Sequence, residues 1–224
     1  MSANVSQALL DGPRLAPASR GAARQLVIFL HGYGADGNDL IGLGREWAPL
    51  LPDAAFVSPD APESIPGYFG GRQWFALTTR SEREWEEGVR NAEPALAAFV
   101  EAEAKNAGLP LSKVALVGFS QGTMMALQTG LRLPEPVAGI VGFSGHLAGA
   151  ARLADEIKAK PPVLLLHGSA DEVIPVAAIH LARETLAAAG VPVQWQIRPG
   201  LGHGIDGHGL LASGQFLRTC FDLD

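Results

Sequence analysis

With 224 residues, 47% of them apolar, the chain has enough material for one α/β domain with a sizeable core. A formal net charge of −6 and the lack of any Lys/Arg cluster argue against nucleic acid as a partner. The single cysteine, Cys220, excludes an intrachain disulfide and a cysteine-based metal cluster. No segment approaches the roughly 20 consecutive apolar residues of a membrane span, and the opening MSANVSQALLDGPRLAP has neither a charged leader nor an apolar run of signal-peptide length. A cytoplasmic protein without stable membrane insertion is expected.

In chain order, the apolar run Gln25–Leu30 predicts a first strand, followed by the glycine-rich HGYGADG and a helix over Asp39–Leu50. A strand over Ala54–Ser58 leads into a loop rich in glycine and aromatics, Gly67 to Ala76. The next segment, Ser81–Asn106, repeats apolar residues at three or four (Trp85, Val89, Ala92, Leu96, Phe99), which predicts a helix facing a sheet. Pro94 is expected to kink it. Strands over Lys113–Gly118, Val137–Phe143, Val163–His167 and Val193–Arg198 then alternate with helices over Gln121–Leu131, Ala177–Ala189 and His208–Phe221. Several of the strands are unbroken Val/Ile/Leu runs, as parallel strands covered on both faces require. The alternation predicts a doubly wound, mostly parallel sheet with helices on both faces, in one domain spanning 1–224 with no cap insertion.

The chemistry centres on Gly118-Phe119-Ser120-Gln121-Gly122, which sits between a β-branched run and a helix-forming stretch. That is the strand–turn–helix context of a G-x-S-x-G nucleophile elbow. Side chains two residues before and after a serine on so sharp a turn would collide with strand and helix, so glycine is needed at both places. Ser144, in Gly142-Phe143-Ser144-Gly145-His146, lacks the second glycine and reads as a strand-end loop residue. A nucleophilic serine needs a base, and the base needs an acid to fix its tautomer. His203 lies in a glycine-flanked loop after the last strand and is the candidate base. His208 is held in reserve, His146 belongs at the rim, His167 reads as a packed strand residue and His180 as a core or surface helix residue. Asp171, just past the carboxyl end of a strand, is the candidate acid. Asp206 reads as a turn or N-cap residue. The order Ser120, Asp171, His203 is the one that accompanies the elbow. An oxyanion hole completes the set, with the backbone N–H of Gln121 as first donor and that of Tyr33, in the loop after the first strand, as second.

The segments HGYGADGNDLIGL, GFSQGTMMAL, GFSGHL, HGSADEVIPV and GLGHGI, taken together, resemble the phospholipase/carboxylesterase family. The resemblance implies a compact α/β-hydrolase fold without a cap domain, acting on carboxylic esters and sometimes thioesters without a cofactor or metal. It gives Ser120, Asp171 and His203 the triad roles and puts Tyr33 and Gln121 at the oxyanion positions. Short- to medium-chain acyl esters and lysophospholipids fall within the implied substrates, and the family often forms homodimers. One departure stands out: where related sequences often carry an acidic residue after the Trp-aromatic pair, this chain has Ala76. Phe69, Trp74 and Phe75 are the candidate substrate-binding residues, as an aromatic rim over an acyl chain; the alternative is that they fill the gap between loop and sheet. Two competing functions are a lactone or dienelactone hydrolase and a non-catalytic binding module on the same fold.

Overall fold

The same apolar runs that predict strands form them in the computed structural model, which describes residues 10–223. The first nine residues, on which the expectation about a leader falls, lie outside the described residues. In chain order the elements are β1 (Arg14–Leu15), β2 (Gln25–Leu30), the short helices α1 (Gly37–Ile41) and α2 (Leu43–Trp47), and β3 (Ala54–Val57). Next come β4 (Glu63–Ser64), β5 (Arg72–Gln73), α3 (Glu82–Asn106), β6 (Val114–Phe119), α4 (Gln121–Gly130) and β7 (Gly139–Phe143). The chain ends with α5 (Leu153–Glu156), β8 (Val163–Gly168), α6 (Ala177–Ala188), β9 (Val193–Arg198) and α7 (Gly207–Cys220).

Seven strands pair in the order β1-β3-β2-β6-β7-β8-β9, all parallel except the edge strand β1, while β4 and β5 make a separate small antiparallel pair. Because side chains alternate across a strand, β2 feeds two cores at once. Leu26, Ile28 and Leu30 pack with Leu96, Val100 and Leu127 of α3 and α4. Val27 and Phe29 pack with Trp47, Phe216 and Leu217 of α2 and α7. Burying a side chain of this size stabilises by about 1.5–3 kcal/mol, so the central strands have little freedom to shift. They hold the functional residues at their carboxyl ends.

The expected elements change in detail at Asp39–Leu50, and three short strands are added. The helix over Asp39–Leu50 is two short helices meeting at Gly42, and it starts earlier because Asp36 caps it by accepting from Asn38 N–H. Glycine at 42 and 44 lowers helix propensity at the junction, and Gly44 lies so close to Phe56 that a Cβ would be 2.8 Å from its ring. Helix α3 runs as one element through Pro94. Strands β1, β4 and β5 have two residues each, too short to leave a periodic signal.

Candidate active site

Strand β6 delivers the chain to Ser120, whose backbone takes φ 54° and ψ −116° before α4 begins at Gln121. A non-glycine residue held in a sparsely populated region costs about 1–3 kcal/mol and persists only when its surroundings enforce it. The enforcement is visible. Ser120 N–H donates to Phe143 O (2.9 Å) and Ser120 O accepts from Thr123 N–H (3.0 Å). Thr123 Oγ1 lies 2.8 Å from Gly118 O and 2.9 Å from Phe143 O, tying α4 to β6 and β7. A Cβ on Gly122 would overlap the Leu30 carbonyl oxygen, and one on Gly118 would overlap the Gly122 backbone. Both elbow glycines are therefore required by contact between main chains.

Strand β8 ends at Gly168, where a Cβ would overlap the carbonyl oxygens of Leu201 and Gly202. The loop carrying His203 crosses the end of β8 there, fastened by Ala170 N–H to Leu201 O (2.9 Å). Just beyond, Asp171 Oδ1 accepts from the N–H groups of Val173 and Ile174 (2.9 Å each), and Oδ2 lies 2.8 Å from His203 Nδ1. Burial raises the Asp171 pKa, but the His203 contact and the two backbone donors outweigh it, and the net value lies below the ordinary carboxylate range. An ionised Asp171 places the imidazole proton on Nδ1 and leaves Nε2 free to accept. His167 Nε2 donates to Ile174 O (2.8 Å) and lies 3.4 Å from Asp171 Oδ2, a second support for the same carboxylate. The His203 ring packs against Phe119 at 4.8 Å between centroids.

Ser120 and His203 line one cavity of about 270 Å³, together with Tyr33 and Gln121. Among the described residues the Ser120 hydroxyl makes no hydrogen bond, so the serine–histidine contact is open in this conformation. Such contacts commonly tighten only when substrate docks. Among the described residues neither the Tyr33 nor the Gln121 backbone N–H donates to any protein acceptor, whereas neighbouring amides do: Gly34 N–H to Arg72 O (2.9 Å) and Thr123 N–H to Ser120 O. Two undonated amides beside a nucleophile can bind an oxyanion.

A brace that sequence reasoning did not find holds both amides. The side chain of Gln121 is almost wholly buried; its Oε1 accepts from Trp74 N–H (2.9 Å) and its Nε2 donates to Phe75 O (2.8 Å). Trp74 Nε1–H donates to His31 O (2.9 Å), and Arg72 N–H donates to Ala35 O (3.0 Å). His31 Nδ1 bonds Gly32 O (2.8 Å) while Nε2 accepts from Ala61 N–H (3.0 Å). Burial lowers the His31 pKa, so the ring is neutral and locked in one tautomer. The strip 72–75 thus fastens the Tyr33 loop and the start of α4 to each other.

The three aromatics singled out from the sequence do not line this cavity. Phe69 is fully exposed at the tip of the 65–71 turn. Trp74 and Phe75 are buried, and their outer side borders a larger open groove of about 900 Å³ with Glu84 and Glu87 on its wall. That groove is lined by none of Ser120, His203 and Asp171, whereas the smaller cavity is lined by Ser120 and His203. The aromatics on its wall are Tyr33, Trp85 and Phe119. His146 is buried against Trp85 and lies 2.9 Å from Glu82 Oε2, while His180 and His208 are exposed on helices. Asp206 caps α7 by accepting from Gly209 N–H (2.7 Å). Among the described residues no group of three or more His, Cys, Asp or Glu could hold a metal ion, and no helix is long and apolar enough to cross a membrane.

Comparison with known proteins places these features in company. The family model described as Phospholipase/Carboxylesterase matches residues 16–221. Esterase YpfH of Escherichia coli is 33% identical over 184 residues, covering 82% of this chain and 78% of that protein. Acyl-protein thioesterase 1 of Gibberella zeae is 29% identical over 214 residues, covering 87% and 91%. The crystal structure of esterase PE8 superposes with a TM-score of 0.90 at 44% identity, covering 94% of this chain and 99% of that one.

Proposed function

The chain belongs to the phospholipase/carboxylesterase family, and from that premise we propose that it is a serine carboxylesterase, a single catalytic domain working through Ser120, His203 and Asp171. The observation that carries this reading is a strained, cavity-facing serine sharing its cavity with a histidine whose far nitrogen lies 2.8 Å from a buried carboxylate. Ser120 Oγ attacks the ester carbonyl carbon as His203 Nε2 takes the hydroxyl proton. The carbonyl oxygen becomes an oxyanion held by the amides of Tyr33 and Gln121. The tetrahedral adduct collapses, the C–O bond to the alcohol breaks, and His203 returns the proton to the departing alkoxide. Water, giving a proton to the same nitrogen, attacks the acyl-enzyme; the acid leaves and Ser120 recovers its proton. Asp171 stays ionised and stabilises the transient imidazolium.

A cavity of about 270 Å³ corresponds to roughly nine water-sized volumes at about 30 Å³ each, which suits a short- to medium-chain acyl group. The names of the relatives, esterase and acyl-protein thioesterase, support carboxylic esters as the substrate class, with thioesters as a chemically close extension. Ser120→Ala tests the proposal. We expect turnover of 4-nitrophenyl butyrate to fall by about 10⁴ or more, with the fold unchanged by circular dichroism, and labelling by a fluorophosphonate probe to disappear. Near wild-type hydrolysis by that variant would refute the assignment.

A further inference from the structure

Among the described residues, Arg80 is the one on the cavity wall with a permanent charge. The other arginines near the start of α3 are neutralised: Arg83 pairs with Glu87, Arg90 and Arg152 with Glu86. Among the described residues no carboxylate lies within 4.0 Å of the Arg80 guanidinium. Much of the remaining wall is apolar, with Leu77, Met124, Val173 and Ile174.

The backbone at this position is also unusual. Arg80 has φ 53°, in the left-handed region that glycine and asparagine occupy far more readily. It is held there by Glu84, whose carboxylate accepts from the N–H groups of Thr78 (2.7 Å), Thr79 (3.0 Å) and Arg80 (2.6 Å). Glu84 itself is set by Ser81, which accepts the Glu84 N–H (3.3 Å) at the N-cap of α3. Strain maintained by so many contacts at a site wall points to a use for the side chain it positions.

Resting on the esterase reading above, we infer that Arg80 is a specificity residue for an anion: the substrate's acyl part carries a second, free carboxylate, which Arg80 binds while Ser120 attacks the ester carbonyl. The acyl part is the portion concerned because it stays on the serine through both half-reactions, whereas the alcohol departs after the first. An adipoyl group, with about nine non-hydrogen atoms, fits a volume of roughly nine waters. A guanidinium offers a carboxylate two parallel N–H donors, whereas a methyl terminus leaves it without a partner. Arg80 is exposed at the cavity rim, so solvent screens the pair and the expected preference is modest.

The test compares kcat/KM for mono-4-nitrophenyl adipate and 4-nitrophenyl hexanoate in the wild type and in Arg80→Met, with Arg80→Gln as a second variant should the first fail to fold. We expect the wild type to hydrolyse the adipate ester at least as efficiently as the hexanoate ester. The adipate-to-hexanoate ratio should fall about five- to tenfold in the variant, and the wild-type ratio should shrink with added salt. A wild type that favours hexanoate, or a ratio that stays within a factor of about two on substitution, overturns the inference and leaves the esterase reading intact. A protein that hydrolyses neither ester overturns both.

Discussion

Gln121→Ala removes a side chain without touching Ser120, His203 or the backbone N–H of residue 121. The amide of Gln121 bridges Trp74 N–H at 2.9 Å and Phe75 O at 2.8 Å, all within the buried interior. Truncation leaves one buried donor and one buried acceptor without partners. Each such group costs about 1–3 kcal/mol, so the variant should lose about 3 kcal/mol, which lowers Tm by about 6–12 °C for a domain of this size. Activity should fall as well, because the strip 72–75 also holds the Tyr33 loop. The fall should be smaller than the roughly 10²–10³ in kcat that deletion of an oxyanion donor brings, since the backbone N–H of residue 121 survives. Gln121→Glu sharpens the test. It keeps the acceptor for Trp74 N–H but turns a charged oxygen toward the Phe75 carbonyl, and it should also be less stable than wild type at pH 7. Differential scanning calorimetry and 4-nitrophenyl butyrate kinetics read both effects. A Tm for Gln121→Ala within about 2 °C of wild type would refute the brace, and a Gln121→Glu as stable as wild type would refute the contribution of the Nε2 bond to Phe75 O.

Gly122→Ala should lose about 3 kcal/mol or more, or fail to fold, because the new methyl meets the Leu30 main-chain oxygen, which cannot move without breaking the β2–β6 pairing; a soluble, active variant with wild-type urea midpoint would contradict this. The neutral, buried His31 should make stability depend on pH. Burial holds its folded pKa below the ordinary value, so the unfolded chain binds the extra proton first. The contribution is complete above about pH 6.5 and declines as pH falls below it, by at most about 1.4 kcal/mol per pH unit. Urea midpoints of wild type and His31→Gln between pH 5 and pH 8 read this directly, and curves that stay parallel across that window would exclude it.

The strand ends, the elbow and the places of Ser120, His203 and Asp171 past the carboxyl ends of strands are legible in the sequence because each is written locally. A β-branched run followed by glycine, serine and glycine encodes its own turn, and Asp171 and His203 follow strands whose apolar runs announce them. The helix over 39–50 broke at Gly42 because two glycines in three residues weakened a pattern that periodicity alone had joined. The brace was illegible for a different reason. Gln121 reads in sequence only as the residue after a nucleophile, and nothing local says that its side chain will span 46 residues to Phe75. The same holds for the cavity wall. In the sequence Trp74 and Phe75 are compatible with an acyl rim or with filling the gap between loop and sheet, and their burial and hydrogen bonds tie them into the interior. Arg80 and Trp85 reach the cavity through the turn that opens α3, a placement set by the Ser81–Glu84 cap.

These placements divide the site into parts of unequal stiffness, and the division follows the chemistry. Ser120 directly follows β6 and Asp171 lies three residues past β8, each held by hydrogen bonds to main-chain groups. The amides of Tyr33 and Gln121, proposed above as oxyanion donors, belong to different segments but are fastened to one strip, so they keep their separation as a pair. A preorganised donor pair is effective because it need not reorganise as charge develops. His203 and Arg80 sit instead on loops. His203 is held on one side by Asp171 and packs on the other against the ring of Phe119, and in the mechanism proposed above it serves first the Ser120 hydroxyl and then the leaving alcohol. A base that serves two oxygens in succession needs that latitude, whereas a nucleophile and an oxyanion hole lose rate if granted it.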